Sequence, residues 1–331
     1  MRTASYSLTR QPAIPLTVLA GNPGAGKTSV IRHLLETRGR GRVVAVLRDH
    51  PHHGAQLRRE PGLEHSATDV DAGAWITSHD PTDALMHLAT REQRPDHVIV
   101  EVEGTDSPRR AGGYAYMPGY RPDGVVMVVD AEAAAHLDPD LPLSTAEREQ
   151  LRVANLVVLN KLDLVGNRVA AATQRELRKL APLARFLWCE NGRVAPPLLL
   201  GPTPGQPTMD DWGVVAEWRP DFLPVDSRAE KTRVGEHCRS WCLVNDRSVD
   251  AREFRAWVNR LPETVLRGAG VVYLQEEPQH RYEFELIGAR WHLIRGAPWG
   301  ATQPVTRLNV VSLGGAQPRM RAQARTEPLA G

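Results

Sequence analysis

The sequence is poor in cysteine and has no long apolar run. Its three cysteines, Cys189, Cys238 and Cys242, are too few and too scattered among 331 residues to form a disulfide framework. No stretch approaches the roughly 18 apolar residues that a membrane-crossing helix needs. The apolar run Ile14–Ala20 is short and leads directly into a glycine-rich loop, so we expect no cleaved signal peptide. These absences favour a cytoplasmic protein that makes no contact with membranes.

An excess of charge of either sign is also missing. The chain has 41 basic and 39 acidic side chains, a net charge of +2. This balance gives no electrostatic reason to expect nucleic acid or an anionic membrane as a partner. The length of 331 residues favours two domains, and a hydrophobic content of 41% is enough to bury a core.

The first two thirds of the chain alternate between predicted strands and helices. Five continuous apolar stretches predict strands buried on both faces: Ile14–Ala20, Arg42–Leu47, His97–Val102, Gly124–Val129 and Asn155–Leu159. Helical patterns lie between or after them at Ser29–Thr37, Thr82–Arg91, Ser144–Val153 and Val169–Leu180. This alternation predicts an α/β fold with a doubly wound, mostly parallel sheet, whose ligand-binding loops lie at the carboxyl ends of the strands.

The last third has a different pattern, after a segment crowded with proline and glycine. It predicts a smaller α+β domain with an antiparallel sheet and a helix over Asp250–Leu261 that Asp250 caps. The predicted strands are Cys238–Val244, Gly270–Leu274, Tyr282–Ile287, Arg290–Arg295 and Asn309–Leu313. We therefore expect a leader (1–12), a nucleotide-binding domain (13–200), a connector (201–235), a second domain (236–315) and a disordered tail (316–331).

A glycine-rich loop follows the first predicted strand and fits the P-loop pattern of nucleotide-binding proteins. Its backbone N–H groups face a β-phosphate, Lys27 reaches the β- and γ-phosphates, and the Thr28 hydroxyl ligates Mg²⁺. The alternative is an ordinary glycine-rich turn, but the position between a strand and a helix favours a P-loop NTPase fold. The residues predicted to hold the phosphates are Gly21, Asn22, Gly24, Ala25, Gly26, Lys27, Thr28 and Ser29.

A second motif, Asn160-Lys161-Leu-Asp163, follows the last strand of the predicted parallel sheet. In P-loop proteins an aspartate at this point accepts hydrogen bonds from the N1–H and the exocyclic amine of guanine, which adenine does not offer. Alone, four residues of this kind would more often be a turn at the end of a strand. Together with the P-loop they predict that the nucleotide is GTP or GDP.

The predicted strand His97–Val102 carries the third motif. An acidic residue at the end of the strand beside a P-loop orients Mg²⁺ through a water, and we assign this role to Glu101 rather than Glu103 because Glu101 lies on the strand. Gly104 would let a backbone N–H approach the γ-phosphate. The alternative is a solvated pair of charges. Lys27, Thr28 and Glu101 are therefore the predicted catalytic residues.

These motifs resemble those of the CobW-type metallochaperone GTPases. The segment from Val98 to Pro108 (VIVEVEGTDSP) is similar to the second phosphate motif of that family. Three segments are similar to its C-terminal domain: Val265–Leu274, Glu285–Arg290 and Val310–Gly314. The resemblance implies a GTP-hydrolysing switch that uses Mg²⁺ and holds a client protein through the second domain. It leaves the client and the oligomeric state open.

The sequence departs from the family where the family binds metal. The family places Gly-Cys-x-Cys-Cys between its second strand and the next helix, and the corresponding stretch here is Gly73-Ala-Trp-Ile-Thr77, without a thiol. A site for Zn²⁺, Ni²⁺ or Co²⁺ would instead need imidazole and carboxylate ligands. The dense cluster of such groups is Asp49, His50, His52 and His53, and its alternative is an exposed polar loop.

Two further patterns are better explained by packing. Cys238 and Cys242 lie in phase on one predicted strand, which is typical of small buried residues rather than metal ligands. Trp212, Trp218 and Trp241, around the connector, are expected to be packing residues, and the alternative is a binding platform. The alternatives for the function are a GTP-dependent assembly or regulatory protein that has lost metal delivery, and a small-molecule kinase, which Asp163 disfavours. No residue is assigned to orient the attacking water, so we expect slow turnover.

Overall fold

The structure is a computed structural model, and it describes residues 13–37, 43–48, 75–78, 81–102, 113–135, 145–201, 214–221 and 238–313. Within these residues the chain forms two sheets and their helices. The strands are β1 (Ile14–Gly21), β2 (Val43–Arg48), β3 (Trp75–Ser78), β4 (His97–Glu101), β5 (Tyr120–Asp130), β6 (Leu156–Asn160), β7 (Arg185–Trp188), β8 (Val214–Glu217), β9 (Cys238–Asn245), β10 (Val265–Tyr273), β11 (His280–Ile287), β12 (Arg290–Pro298) and β13 (Thr306–Leu313). The helices are α1 (Lys27–Thr37), α2 (Pro81–Thr90), α3 (Ala131–Ala135), α4 (Thr145–Val153), α5 (Asn167–Leu180), α6 (Pro196–Leu200) and α7 (Ala251–Asn259).

The first sheet is parallel, with the strand order β3-β2-β4-β1-β5-β6-β7. Every residue of the central strand β1 is buried, as its continuous apolar sequence predicts. Helices cover both faces of this strand. Leu19 packs with apolar side chains of α1, whereas Leu16 and Val18 pack with Leu85 and Leu88 of α2. The predicted doubly wound parallel sheet is confirmed.

The structure differs from the sequence prediction in its short elements and in two strand starts, since β5 and β10 begin four and five residues earlier than predicted. The sequence pattern did not predict β3, β7, α3 or α6, which have only four or five residues each. Segments of this length are too short to show a helix or strand period. Residues Trp75–Thr77, which stand in place of the family's thiol motif, lie on β3 at the edge of the sheet.

The second sheet has the order β12-β11-β10-β13-β9-β8 and carries α7 on one face. Its pairs are antiparallel, as predicted, except that β8 runs parallel to β9 at the edge. Strand β8 lies inside the expected connector (201–235), so this segment contributes to the sheet. The predicted cap of α7 is confirmed, because the carboxylate of Asp250 accepts hydrogen bonds from the backbone N–H groups of Arg252 and Glu253.

The aromatic side chains of the second sheet form its core. Trp218, Trp241 and Trp257 are each no more than 2% exposed, and Trp218 and Trp257 pack with Phe254. The expected packing role is therefore confirmed for Trp218 and Trp241, while Trp212 lies outside the described residues.

The two sheets pack against each other through a shared hydrophobic cluster. Leu266 and Val311 of the second sheet are buried in the same cluster as α1 and the centre of the first sheet. Cys238, Ile287 and Leu313 pack against its border. The two parts of the molecule therefore share a core rather than meeting through polar surface alone. In the described part of the chain, no helix has both the length and the hydropathy for a membrane crossing.

Candidate functional site

The glycine-rich loop folds tightly between β1 and α1. Gly26 has φ +97°, and a Cβ there would overlap the side-chain amide of Asn160. The backbone N–H of Ala25 donates to the carbonyl of Asn22 at 3.1 Å, which closes the turn. Helix α1 begins at Lys27, so Thr28 and Ser29 lie in its first turn, where backbone N–H groups are free of intrahelical partners. A loop of this shape, at the positive end of a helix, attracts phosphate.

Lys27 and Glu101 lie together beneath this loop. The Lys27 ammonium is nearly buried and donates to the carbonyls of Gly21 at 2.8 Å and Asn22 at 3.2 Å. Its Nζ is 3.8 Å from Oε1 of Glu101, which ends β4 and is 4% exposed. The Thr28 hydroxyl and the Glu101 carboxylate supply hard oxygen ligands of the kind that Mg²⁺ prefers, so these residues fit that ion.

Asn160 joins the glycine-rich loop to two neighbouring strand ends. Its side chain is buried, donates to the carbonyl of Ala25 at 3.0 Å and accepts from the N–H of Gly192 at 3.0 Å. Both hydrogen bonds are made inside the protein, where leaving an amide unpaired would cost about 1–3 kcal/mol. The role of Asn160 in the structure is thus to hold the loop against the carboxyl ends of β6 and β7.

Lys161 and Asp163 follow Asn160 in a turn that leaves the sheet. Lys161 has φ +62°, and its ammonium donates to Asp130 at the end of β5 at 2.7 Å. Burial raises the pKa of Asp130, but the bonds from Lys161 and from the N–H groups of Ala133 and Glu132 outweigh it, so the pKa is lowered. Asp163 lies in a single turn of 3-10 helix and is exposed.

The loop after β7, which contacts Leu162 next to Asp163, was not predicted from the sequence. The N–H of Leu162 donates to the carbonyl of Cys189 at 3.2 Å, and Asn191 has φ +52°. The two loops follow adjacent parallel strands, whose carboxyl ends lie at one edge of the sheet. The prediction failed here because β7 is short. The signal that was available is Glu190-Asn-Gly192, a turn sequence after an apolar run.

Two acidic residues were also missed. Asp130 ends a strand whose prediction stopped one residue earlier, at Val129. Glu147 lies in the first turn of α4, and its Oε1 accepts from Nδ2 of Asn22 in the glycine-rich loop at 2.5 Å. A pair separated by 125 residues leaves no local signal in the sequence.

Several predicted site residues cannot be placed. Gly104, Asp49, His50, His52 and His53 lie outside the described residues, so both the γ-phosphate contact and the speculative metal cluster stay predictions. Among the residues that are described, no group of three or more His, Cys, Asp or Glu side chains is arranged to hold a metal.

The environment of the described cysteines is that of packing residues rather than of metal ligands. Cys189 and Cys242 are buried, and Cys238 is partly buried. Burial raises the pKa of the Cys238 and Cys242 thiols, which disfavours the thiolate form needed for metal binding.

Two family models match the chain, in the order of its two sheets. The model described as "CobW/HypB/UreG, nucleotide-binding domain" matches residues 15–188, just over half of the chain. The model described as "Cobalamin synthesis protein cobW C-terminal domain" matches residues 238–325.

Curated relatives are similar over the same region. The chain is 30% identical over 223 residues to the zinc chaperone CobW of Sinorhizobium sp, covering 58% of this chain and 63% of that protein. It is 25% identical over 196 residues to the zinc-regulated GTPase metalloprotein activator 1 of Schizosaccharomyces pombe, covering 55% of this chain and 47% of that protein. The matches therefore span about half to two thirds of these relatives.

Solved structures of related proteins are more distant. The Zn(II)-bound YjiA GTPase from E. coli is 19% identical, with a TM-score of 0.40 over 91% of this chain and 95% of that one. The hydrogenase maturation factor HypB of Archaeoglobus fulgidus is 14% identical, with a TM-score of 0.35 over 54% of this chain and 81% of that one.

Proposed function

The chain belongs to the CobW/HypB/UreG family, and we propose that it is a GTP-binding and GTP-hydrolysing switch that couples hydrolysis to the handling of a metal or a client protein. The observation that best supports this proposal is the double hydrogen bond of Asn160. These bonds join the glycine-rich loop, which we call the phosphate-binding loop, to the loop after β7. That loop and the turn at Asp163 would hold the base. A single ligand that spans both places, a guanine nucleotide, fits this arrangement.

In the proposed reaction, water attacks the γ-phosphate of GTP. Lys27 supplies positive charge where negative charge develops on the phosphoryl oxygens, and the first turn of α1 supplies N–H donors. Thr28 and Glu101 would hold Mg²⁺, which when bound neutralises charge shared by the β- and γ-phosphates. Of the residues that the structure describes, we assign none to orienting the water, so the proposed intrinsic turnover is slow. In such a protein, GTP and Mg²⁺ would order the loops around the γ-phosphate, and hydrolysis would release these loops.

Guanine specificity is tested at Asp163. We expect GTP to bind at least about 100-fold more tightly than ATP, because only guanine offers two N–H groups to this carboxylate. Asp163→Ala should bring the two affinities within about tenfold of each other while the fold is kept. Equilibrium binding of fluorescent GTP and ATP analogues measures both affinities, and circular dichroism checks the fold. Equal affinities in the unmutated protein would contradict the proposal.

Metal handling is tested by titration. Two relatives are named as zinc chaperones, so Zn²⁺ is the first metal to use, followed by Co²⁺ and Ni²⁺. Calorimetry of the GTP-bound protein should show specific binding that weakens near pH 6, because protons compete with the metal for imidazole. The triple variant His50/His52/His53→Ala should lose this binding. Tight binding that the variant keeps would move the site to other residues.

A second candidate function is a GTP-dependent assembly or regulatory protein that no longer delivers metal. Its support is that the stretch corresponding to the family's cysteine motif has no thiol, and that Trp75–Thr77 lie on β3. A titration that shows no specific metal beyond Mg²⁺ would favour this candidate over metal handling. Binding and hydrolysis of GTP would be common to both.

A further inference from the structure

The turn between β11 and β12 contacts the first sheet where α4 ends. Gly288 in this turn has φ +59°, and a Cβ on it would overlap the backbone carbonyl of Asn155, two residues after α4. Next to it, Ile287 fills the space above Gly124 of β5. A side chain at either glycine would push the turn away. The turn therefore seats closely on the first sheet.

Arg290 extends this contact onto the helix itself. Its guanidinium donates to the carbonyl of Val153 at 3.1 Å and to that of Arg152 at 3.3 Å. The last carbonyls of a helix have no partners within the helix, and a positive charge near them is favoured by the helix dipole. Arg290 therefore caps the carboxyl end of α4 from the second sheet.

The opposite end of the same helix holds the phosphate-binding loop. Glu147, in the first turn of α4, accepts from the side chain of Asn22 at 2.5 Å. The carbonyl of Asn22 accepts in turn from Ala25 N–H and from the Lys27 ammonium. The middle of the helix is fixed in the core, since Gln150 and Leu151 are at most 2% exposed. One nine-residue helix thus connects the second sheet to the loop.

We propose that Arg290 and Glu147 are positioning residues for the nucleotide: the second sheet holds α4 through Arg290, and α4 holds the phosphate-binding loop through Glu147. This inference rests on the proposed function, because it assigns a consequence to that function's nucleotide site. A rigid helix fixed at both ends transmits a small displacement at one end to the other. A client bound to the second sheet would therefore change nucleotide affinity, and nucleotide would change client affinity by the same factor.

Arg290→Ala is the test variant, and Arg295→Ala is its control. Arg295 lies on the same strand, is also exposed, and pairs with Glu277 rather than with α4. We expect Arg290→Ala to weaken GDP binding by about fivefold, near the lower limit of typical coupling between sites. In the nucleotide-free protein, amide hydrogen exchange from Ala25 to Val30 should become faster. Arg295→Ala should change neither quantity.

Glu147 is tested by rescue. Glu147→Ala removes the acceptor for Asn22 and should weaken GDP binding, whereas Glu147→Gln keeps an acceptor oxygen and should restore most of it. If both residues act through α4, their effects are not independent. The fold-loss of GDP affinity in the double variant Arg290→Ala/Glu147→Ala should then be smaller than the product of the fold-losses in the two single variants. Independent effects in the double variant would overturn the connection through α4.

Hydrogen exchange separates this inference from the proposed function. Unmutated protein that binds neither GDP nor GTP would contradict the proposed function, while faster exchange in Arg290→Ala would still support the connection. Nucleotide binding in the unmutated protein, with exchange and GDP affinity unchanged by Arg290→Ala, would overturn the inference and leave the function intact.

Discussion

Single side chains in the candidate site have two or three partners each. Replacing one of them therefore removes several contacts at once. Asn160 bonds both the phosphate-binding loop and the loop after β7. Lys27 bonds two carbonyls of its own loop and lies 3.8 Å from Glu101. At this scale the sequence motifs identified the residues of the candidate site, because each motif consists of contiguous residues. They did not predict the contacts that join Asn160 to Ala25 and Gly192, or Lys27 to Glu101. Partners from distant segments, such as Glu147, were not visible.

The prediction that belongs to this scale concerns Lys27. Lys27→Ala should lower the rate of GTP hydrolysis at least about 100-fold, because its ammonium lies in the loop that we propose holds the phosphates, where it would stabilise the developing negative charge. Single-turnover hydrolysis of GTP, measured with Mg²⁺ at saturating protein, gives the rate. Lys179→Ala is a suitable control, since Lys179 lies on the exposed face of α5 and pairs with Glu176. Hydrolysis by Lys27→Ala within a few-fold of the unmutated rate would contradict the assignment.

At the scale of elements, a largely buried polar network joins the three central strands β4, β1 and β5. The hydroxyl of Thr17 donates to Asp123 at 2.6 Å and lies 2.7 Å from Nε2 of His97. Because the only hydroxyl hydrogen goes to Asp123, Nε2 of His97 must be the donor to Thr17. Burial raises the pKa of Asp123, but Arg267, His97 and the Thr17 hydroxyl outweigh it and lower the pKa. The network therefore helps to hold β1, β4 and β5 in register.

This network predicts how stability depends on pH. Burial lowers the pKa of His97 from 6.5 to about 4 against the opposing effect of Asp123, and Arg267 and Arg121 lower it further. The unfolded chain therefore binds a proton more readily than the folded protein. The contribution of neutral His97 to the free energy of unfolding is fully present above pH 6.5 and is lost as the pH falls toward 4. Between pH 7 and pH 5 the loss should be on the order of 2 kcal/mol.

Urea unfolding at pH 7 and pH 5 measures this loss. His97→Gln keeps an N–H for Thr17 and cannot be protonated, so its stability should fall less between the two pH values. His87→Gln is the matched control, because His87 is exposed on α2. Equal pH dependence in His97→Gln and in the unmutated protein would show that His97 does not titrate in this way.

For the whole molecule, a buried ion pair and a shared core join the two sheets. Arg267 of β10 is 2% exposed, and its guanidinium is 3.0 Å from Asp123 of β5. A second pair, Arg121 with Glu285, lies beside it and is partly exposed. Leu266 and Val311 continue the contact into the core of the first sheet. We therefore expect the two sheets to unfold in one transition. Tryptophan fluorescence and far-ultraviolet circular dichroism should then give the same unfolding curve.

Arg267→Met tests this expectation. Removing the guanidinium leaves the Asp123 carboxylate buried without its cation, which should cost about 3–5 kcal/mol of unfolding free energy. The added change Asp123→Asn should recover part of the loss, because the neutral amide needs no cation. Urea unfolding of the three proteins gives these free energies. A loss below about 1 kcal/mol, or two separate transitions in the unmutated protein, would show that the sheets are joined more loosely.

The parallel sheet, the glycine-rich loop and the Asn160-Lys161-Leu-Asp163 motif could all be identified from the sequence alone. Each depends on contiguous residues: continuous apolar runs predict buried strands, and glycines next to a lysine predict the loop through backbone geometry alone. The cap of α7 by Asp250 was predictable for the same reason, since a cap bonds N–H groups two and three residues away.

Contacts between distant residues, in contrast, could be identified only in the folded protein. The pairs Asn22–Glu147 and Asp123–Arg267 join segments more than a hundred residues apart, and the turn at Gly288 contacts Asn155 across the interface between the two sheets. Strand β8 pairs with β9 despite a sequence rich in proline and glycine around it. Such contacts depend on strand order, register and packing at the interface, which no local period or composition encodes.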